Sequence, residues 1–206
     1  MSARLLLIAT VAIACVPKAP PLRGAVAPAR LPATELPRVF QRIVFDWEYR
    51  DPDATLRGEG AARIAPPDSV RLDLFLAGGL GSGHAFLIGD TVSAPGGALV
   101  RRVLPSPPLL WAALGRLHVA HAADTVVRAE RDTMRADIGR SPVFRVTFAR
   151  DSLVAVERID GGRITERIAR RDRVIRYAHA AERRSLTLTI TRVDTLSFLD
   201  ASIWDR

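Results

Sequence analysis

Apolar and polar residues alternate with a period of two over most of the chain, the pattern of strands buried on one face. In "IVFDWEYRD", residues 43–51, Ile43, Phe45, Trp47 and Tyr49 share one face, and Val44, Asp46, Glu48 and Arg50 share the other. "ATLRGEGAARIAPPDS" supplies a partner strand that stops at Pro66, Pro67 and Asp68. "VRLDLFLA" alternates again, with Val70, Leu72, Leu74 and Leu76 opposed to Arg71 and Asp73. Past a glycine-rich turn, "HAFLIGDTVSAPGG" gives one more strand, with Phe86 and Ile88 taken as inward, and the start of another. Strands return after residue 124, separated by turn signals at Arg150-Asp151, Asp160-Gly161-Gly162 and Arg171-Asp172. Phe144, Val146 and Phe148 alternate in one of these strands, and "LTLTIT" puts Leu186, Leu188 and Ile190 inward with threonines outward.

Two segments leave this period. Residues 33–41 predict a short helix, with Thr34 as its cap and Pro37 in its first turn. In "ALVRRVLPSPPLLWAALGRL", residues 98–117, Ala98 to Leu104 form two helical turns. Ser106 then caps a second helix whose first turn holds Pro107 and Pro108, where missing amide hydrogens cost little. Leu110, Ala113, Leu114 and Leu117 fall on one stripe with Trp111 beside it, so this helix is apolar on more than one side and belongs inside the molecule. The fold class is therefore mainly β (α+β). About eleven consecutive antiparallel strands must curl or close, because a flat sheet would expose long edges.

The 206 residues suit one domain with a sizeable core, and 48% hydrophobic with 25% charged residues is ordinary globular composition. The amino terminus has a different character. Arg4 precedes the apolar run "LLLIATVAIAC", which has signal-peptide length and is too short to span a bilayer. Ala12-Ile13-Ala14-Cys15 resembles the bacterial lipobox, in which cleavage precedes a cysteine that becomes lipid-modified. Residues 1–14 are thus expected as a signal peptide and Cys15, the only cysteine, as the lipidation site. Residues 15–32, rich in proline and alanine, read as an extended tether, and 33–206 as the folded domain. Val16 is not the aspartate that retains lipoproteins in the inner membrane of some enteric bacteria, which favours a periplasm-facing outer-membrane location.

A formal charge of +8 ordinarily raises nucleic acid as a partner. The export signal argues against it, as do the few aromatic residues, which are not interleaved with basic ones as base stacking needs. Catalytic chemistry is equally hard to place. His118 and His121 have a spacing compatible with metal ligation on a helix, but only Asp124 lies near, and two surface histidines in a loop are the favoured reading. Gly79-Leu80-Gly81-Ser82-Gly83 is neither a nucleophile elbow nor a phosphate loop. The aspartates at 90, 124, 132, 151, 160 and 172 stand at turns for backbone reasons. No enzyme, metal or cofactor is expected.

The order of lipobox, tether, meander, helical excursion and second meander resembles the LolA/LolB-like family of periplasmic carriers and outer-membrane receptors of bacterial lipoproteins. The likeness is closest to LolB-type members, whose strand-turn-strand stretch reads like "L-x-x-P-L-G-x". "LAGGLGSGHAFLIGD" keeps Leu80 and Gly81 but has Gly79 where proline is usual, and "LLWAALG" resembles the family's apolar helix through Leu110, Trp111, Leu114 and Gly115. The resemblance implies an incomplete antiparallel β-barrel with one or two helices plugging a cavity for acyl chains. It also implies that Leu80, projecting from the turn, engages the membrane, and that a LolA-like carrier is a partner.

Fixed acyl-binding positions are not part of the family's pattern, so the cavity is inferred from inward apolar positions. These are Phe45, Trp47, Leu72, Leu74, Phe86 and Ile88 in the first meander, and Leu110, Trp111 and Leu114 in the helix. The second meander adds Phe144, Val146, Phe148, Leu186, Leu188 and Ile190. Two functions fit: a monomeric lipid-anchored receptor that takes a lipoprotein's acyl chains to the outer membrane, or a non-transporting lipoprotein of the same fold that binds another envelope protein.

Overall fold

The computed structural model describes residues 16–28, 30–95, 97–120 and 124–204. The expected signal peptide, the lipidation site Cys15 and His121 lie outside the described residues. The strands in the first half are β1 (Ala25–Val26), β2 (Phe40–Arg50), β3 (Thr55–Ala65), β4 (Ser69–Leu76), β5 (Ser82–Ile88) and β6 (Thr91–Ser93). Two helices follow, α1 (Ala98–Val103) and α2 (Pro107–Ala113). The second half contributes β7 (Val126–Glu130), β8 (Thr133–Ile138), β9 (Val143–Ala149), β10 (Ser152–Asp160), β11 (Arg163–Arg171), β12 (Val174–His179) and β13 (Arg184–Leu196).

The turn signals close hairpins as their chemistry requires. Arg150, Asp151 and Asp172 take positive φ, and Gly161 and Gly162 do so together, the geometry of a tight two-residue hairpin between β10 and β11. The result is one 13-stranded antiparallel sheet in the order β1-β7-β8-β9-β10-β11-β12-β13-β2-β3-β4-β5-β6. It is open, with β1 and β6 at its edges, and its joint is the long pairing of β13 with β2, which runs from Ser185↔Arg50 to Leu196↔Phe40. Mainly β with two short helices is the architecture that the alternation and the helical excursion imply, and the open sheet agrees with the incomplete barrel that the resemblance implies.

Phe45, Trp47 and Tyr49 are buried on one face of β2, as its alternation predicts. The Phe45 ring lies across Gly60, where a Cβ would stand 2.5 Å from it. A core cluster continues from these residues through Val146, Phe148 and Val156 in the second half to Leu109 and Trp111 of α2. No helix of the described residues is long and apolar enough to cross a membrane.

Three expectations are corrected. No helix forms at residues 33–41, where the chain is irregular until β2 begins at Phe40. Pro37 stands in the middle of that segment, Leu31 and Leu36 pack on the core, and the Thr34 hydroxyl accepts a hydrogen bond from the Leu117 amide at 2.8 Å instead of capping. The tether is extended, but it is bound along the sheet from Val16 onward. Ala19 and Ile164 amides donate to the Gly162 and Pro17 carbonyls, β1 pairs with β7, and Arg145 donates to the Pro20 carbonyl. The second helix ends at Ala113, short of Leu117, and Gly115 leaves it with φ of 88°.

Candidate functional site: an apolar cavity under two short helices

The inner faces of β11, β12, β13, β2, β3, β4 and β5 form a concave wall, and α1, α2 and their connection cover it. From the sheet come Ile43 and Phe45, Val70, Leu72 and Leu74, Leu87, Ile168 and Ile175, and Leu186, Leu188 and Ile190. From above come Val103, Leu104, Pro105, Leu110, Ala113 and Leu114. Apart from Tyr177 and Arg170, every lining residue is apolar. The space between the walls is about 880 Å³ with its mouth included, but only about 80 Å³ can seat the centre of a water-sized sphere. The walls therefore stand close together, and a long chain needs the helices to move.

The helices are held by polar contacts at their ends. α1 packs so closely on β5 that a Cβ at Gly83 would lie 2.3 Å from a Val100 methyl. Arg102 of α1 is paired with Asp51 at 2.5 Å and with Asp53 at 3.0 Å in the β2–β3 turn. The Tyr49 hydroxyl donates to Asp51 at 2.8 Å. Burial raises the Asp51 carboxyl, but hydrogen bonds from Tyr49 and from the Asp53 and Ala54 amides, together with the Arg102 charge, outweigh it and hold the group below the ordinary carboxylate range.

At the start of α2, Ser106 occupies the cap position but its hydroxyl does not cap the helix. It bonds the buried Glu166 carboxylate at 3.2 Å, which also accepts from the Tyr177 hydroxyl at 3.0 Å and from Arg158 at 3.2 Å. Burial and then the Glu166 charge push the Tyr177 phenol well above its usual range. Glu166→Ala leaves a buried phenol and a serine hydroxyl without their acceptor. It is expected to destabilise the fold by about 3 kcal/mol, lowering Tm by roughly 6–12 °C for a chain of this size, which thermal unfolding measures.

Of the residues inferred from sequence, Phe45, Leu72, Leu74, Leu110, Leu114, Leu186, Leu188 and Ile190 meet at this cavity. The others do not. Leu87, opposite Val70, is the inward residue of β5. Phe86 points to the outer face, with the Arg71 guanidinium 5.6 Å from its ring and Trp204 beside it, and Ile88 is 38% exposed. Trp47 and Trp111 are buried outside this lining, and their indole N–H groups donate to the Glu59 and Gly89 carbonyls at 2.9 and 2.8 Å. Phe144, Val146 and Phe148 lie on β9, two strands beyond the cavity wall, and pack in the core of the second half.

Leu80 stands at the β4–β5 tip with 82% of its surface exposed. Gly78 and Gly79 adopt φ of 75° and 70° there, and the Leu76 amide closes the loop on the Gly81 carbonyl at 2.9 Å. His118 pairs with Asp90 at 2.8 Å rather than with another histidine, and the described residues hold no cluster of three metal-ligating side chains.

No protein-family model matches the chain, and no curated protein does. Solved structures do. A LolA-superfamily protein from Nitrosomonas europaea superposes with a TM-score of 0.53 at 11% identity, covering 84% of this chain and 93% of that one. A putative outer-membrane lipoprotein-sorting protein domain from Vibrio parahaemolyticus gives 0.50 at 6% identity, covering 84% and 92%. At such identities the likeness is one of fold: this chain has the open-barrel fold of LolA-superfamily proteins.

Proposed function

We propose that this chain is an acyl-chain-binding protein of the bacterial envelope. In this reading it is attached at Cys15 to the outer membrane and takes up the acyl chains of lipoproteins or lipids beneath α1 and α2. The observation that carries the reading is the cavity itself, apolar on the sheet side and the helix side and covered by two short helices rather than by the sheet. A methylene moved from water to an apolar wall gains about 0.8 kcal/mol, so a long chain needs a greasy surface and few directional contacts. The structures it resembles include a putative lipoprotein-sorting domain, and that role is transferred here as part of the proposal. The LolB-like step, receipt of a lipoprotein from a soluble carrier and its insertion into the outer membrane, fits a tethered domain with a leucine at an exposed tip.

The test is binding of a fluorescent, uncharged palmitoylated peptide to the chain from Val16 onward. Saturable binding at micromolar concentration is expected. A folded protein that leaves the probe free overturns the reading. The narrowness of the cavity favours the second function, a protein-binding lipoprotein with a closed interior, and that result would leave it standing.

A further inference from the structure

Arg170 is the single charged residue in the cavity lining. It lies on β11 two positions beyond Ile168, so strand parity turns it to the same inner face. Its cross-strand partner on β12 is Ile175, which offers no charge. Glu166, two positions before Ile168 on this face, is already occupied by Ser106, Tyr177 and Arg158. Among the described residues Arg170 makes no ion pair and no hydrogen bond, and its Nε is fully covered without a partner. Burial alone lowers its affinity for a proton. An arginine in such a place is uncompensated, since buried cations are normally paired.

The surroundings make room for the guanidinium. Gly115, just past α2, faces it, and a Cβ there would lie 2.1 Å from Nη1. The guanidinium therefore lies on the cavity side of the sheet, against the end of α2.

We propose that Arg170 is the head-group site of the cavity, and that the cavity accepts a lipid whose polar end is an anion, a carboxylate or a phosphate, with the alkyl chain lying toward Phe45 and Leu186. The inference rests on the acyl-binding reading and narrows it, because an anionic head adds free fatty acids and phospholipids to the cargo. A guanidinium in a partly dry site binds either oxyanion through paired N–H donors.

Calorimetric titration of the chain from Val16 with decanoate, decyl phosphate and decanol separates these elements, since the three share a ten-carbon chain. At least one anion is expected to bind about tenfold or more tightly than the alcohol. Tighter decanoate marks a fatty acid as the source, and tighter decyl phosphate a phospholipid. Arg170→Met, which keeps the apolar stem, is expected to bring both anions to the level of decanol while decanol itself changes less than about threefold. Arg170→Lys is expected to keep part of the preference. Equal affinities in the unaltered protein, or a preference that survives Arg170→Met, overturn the head-group site and leave the acyl cavity in place. Binding of none of the three by folded protein overturns the acyl cavity, and the head-group site with it.

Discussion

Oxidation of the double variant Gly83→Cys, Val100→Cys is expected to abolish uptake of the palmitoylated probe, and reduction is expected to restore it. A Cβ at position 83 lies 3.8 Å from the Val100 Cβ, the separation that a disulfide needs. The methyl that would collide with it disappears in the same variant. The bond would fasten α1 to β5, and α1 leads directly into Val103, Leu104 and Pro105 on the cavity wall. With little free width between the walls, a chain can enter only as the helices lift, so fixing α1 removes the path and leaves the wall intact. The lock should also stabilise the fold, by about 3 kcal/mol from loop closure, so loss of binding together with a raised Tm separates locking from damage. Undiminished binding by the oxidised protein would show that chains enter without movement of α1.

Leu80→Glu is expected to leave the fold and probe binding unchanged while weakening association of the chain from Val16 with phospholipid vesicles. Nothing packs on the side chain, so stability should stay within about 0.5 kcal/mol. Moving a leucine from water to a lipid interface is worth about 1.5–3 kcal/mol, so its loss should reduce vesicle partitioning roughly 10- to 100-fold, with anionic glutamate at the upper end. Phe75, half exposed on the neighbouring strand, is the second apolar residue near the tip, and Phe75→Ser in the same background should deepen the effect. Vesicle flotation measures both. Unchanged flotation of the Leu80 variant would make the tip a surface leucine without consequence.

The fold was legible where alternation was clean. "IVFDWEYRD" and "LTLTIT" state both strand and face, and the β10–β11 turn follows from two adjacent glycines. "AFLI" is apolar at consecutive positions, so its own pattern does not show which parity is buried. Pairing with β4, which sets Leu87 against Val70, decides it. Alternation likewise gave the face of Phe144, Val146 and Phe148 correctly but not their distance across the sheet, which depends on strand order and so on long-range pairing. The tryptophans carried a usable signal: a buried indole seeks an acceptor, and an apolar cavity lining offers almost none. Arg170 was also within reach, since Ile168 inward places Arg170 inward, but nothing in the alternation itself sets this arginine apart from the many others. The short 33–41 segment was lost to tertiary demand, because Leu31 and Leu36 are drawn onto the core and Thr34 to the end of the helical excursion.

The first described residues have a further consequence for orientation. Pro17 and Ala19 are bonded to the β10–β11 turn, and Arg163 at the start of β11 holds the Val16 carbonyl at 3.0 Å. Following the antiparallel order from β11 through β12, β13, β2 and β3 to β4, the β10–β11 turn and the Leu80 tip fall at the same end of the strands. With Cys15 acylated as proposed, the anchor leaves the domain beside that rim, one residue before Val16, and a residue spans at most about 3.6 Å. The mooring is then short and lies on the leucine's side, so the bilayer meets a preset rim of the barrel, and the domain pivots at the surface instead of ranging through the space above it.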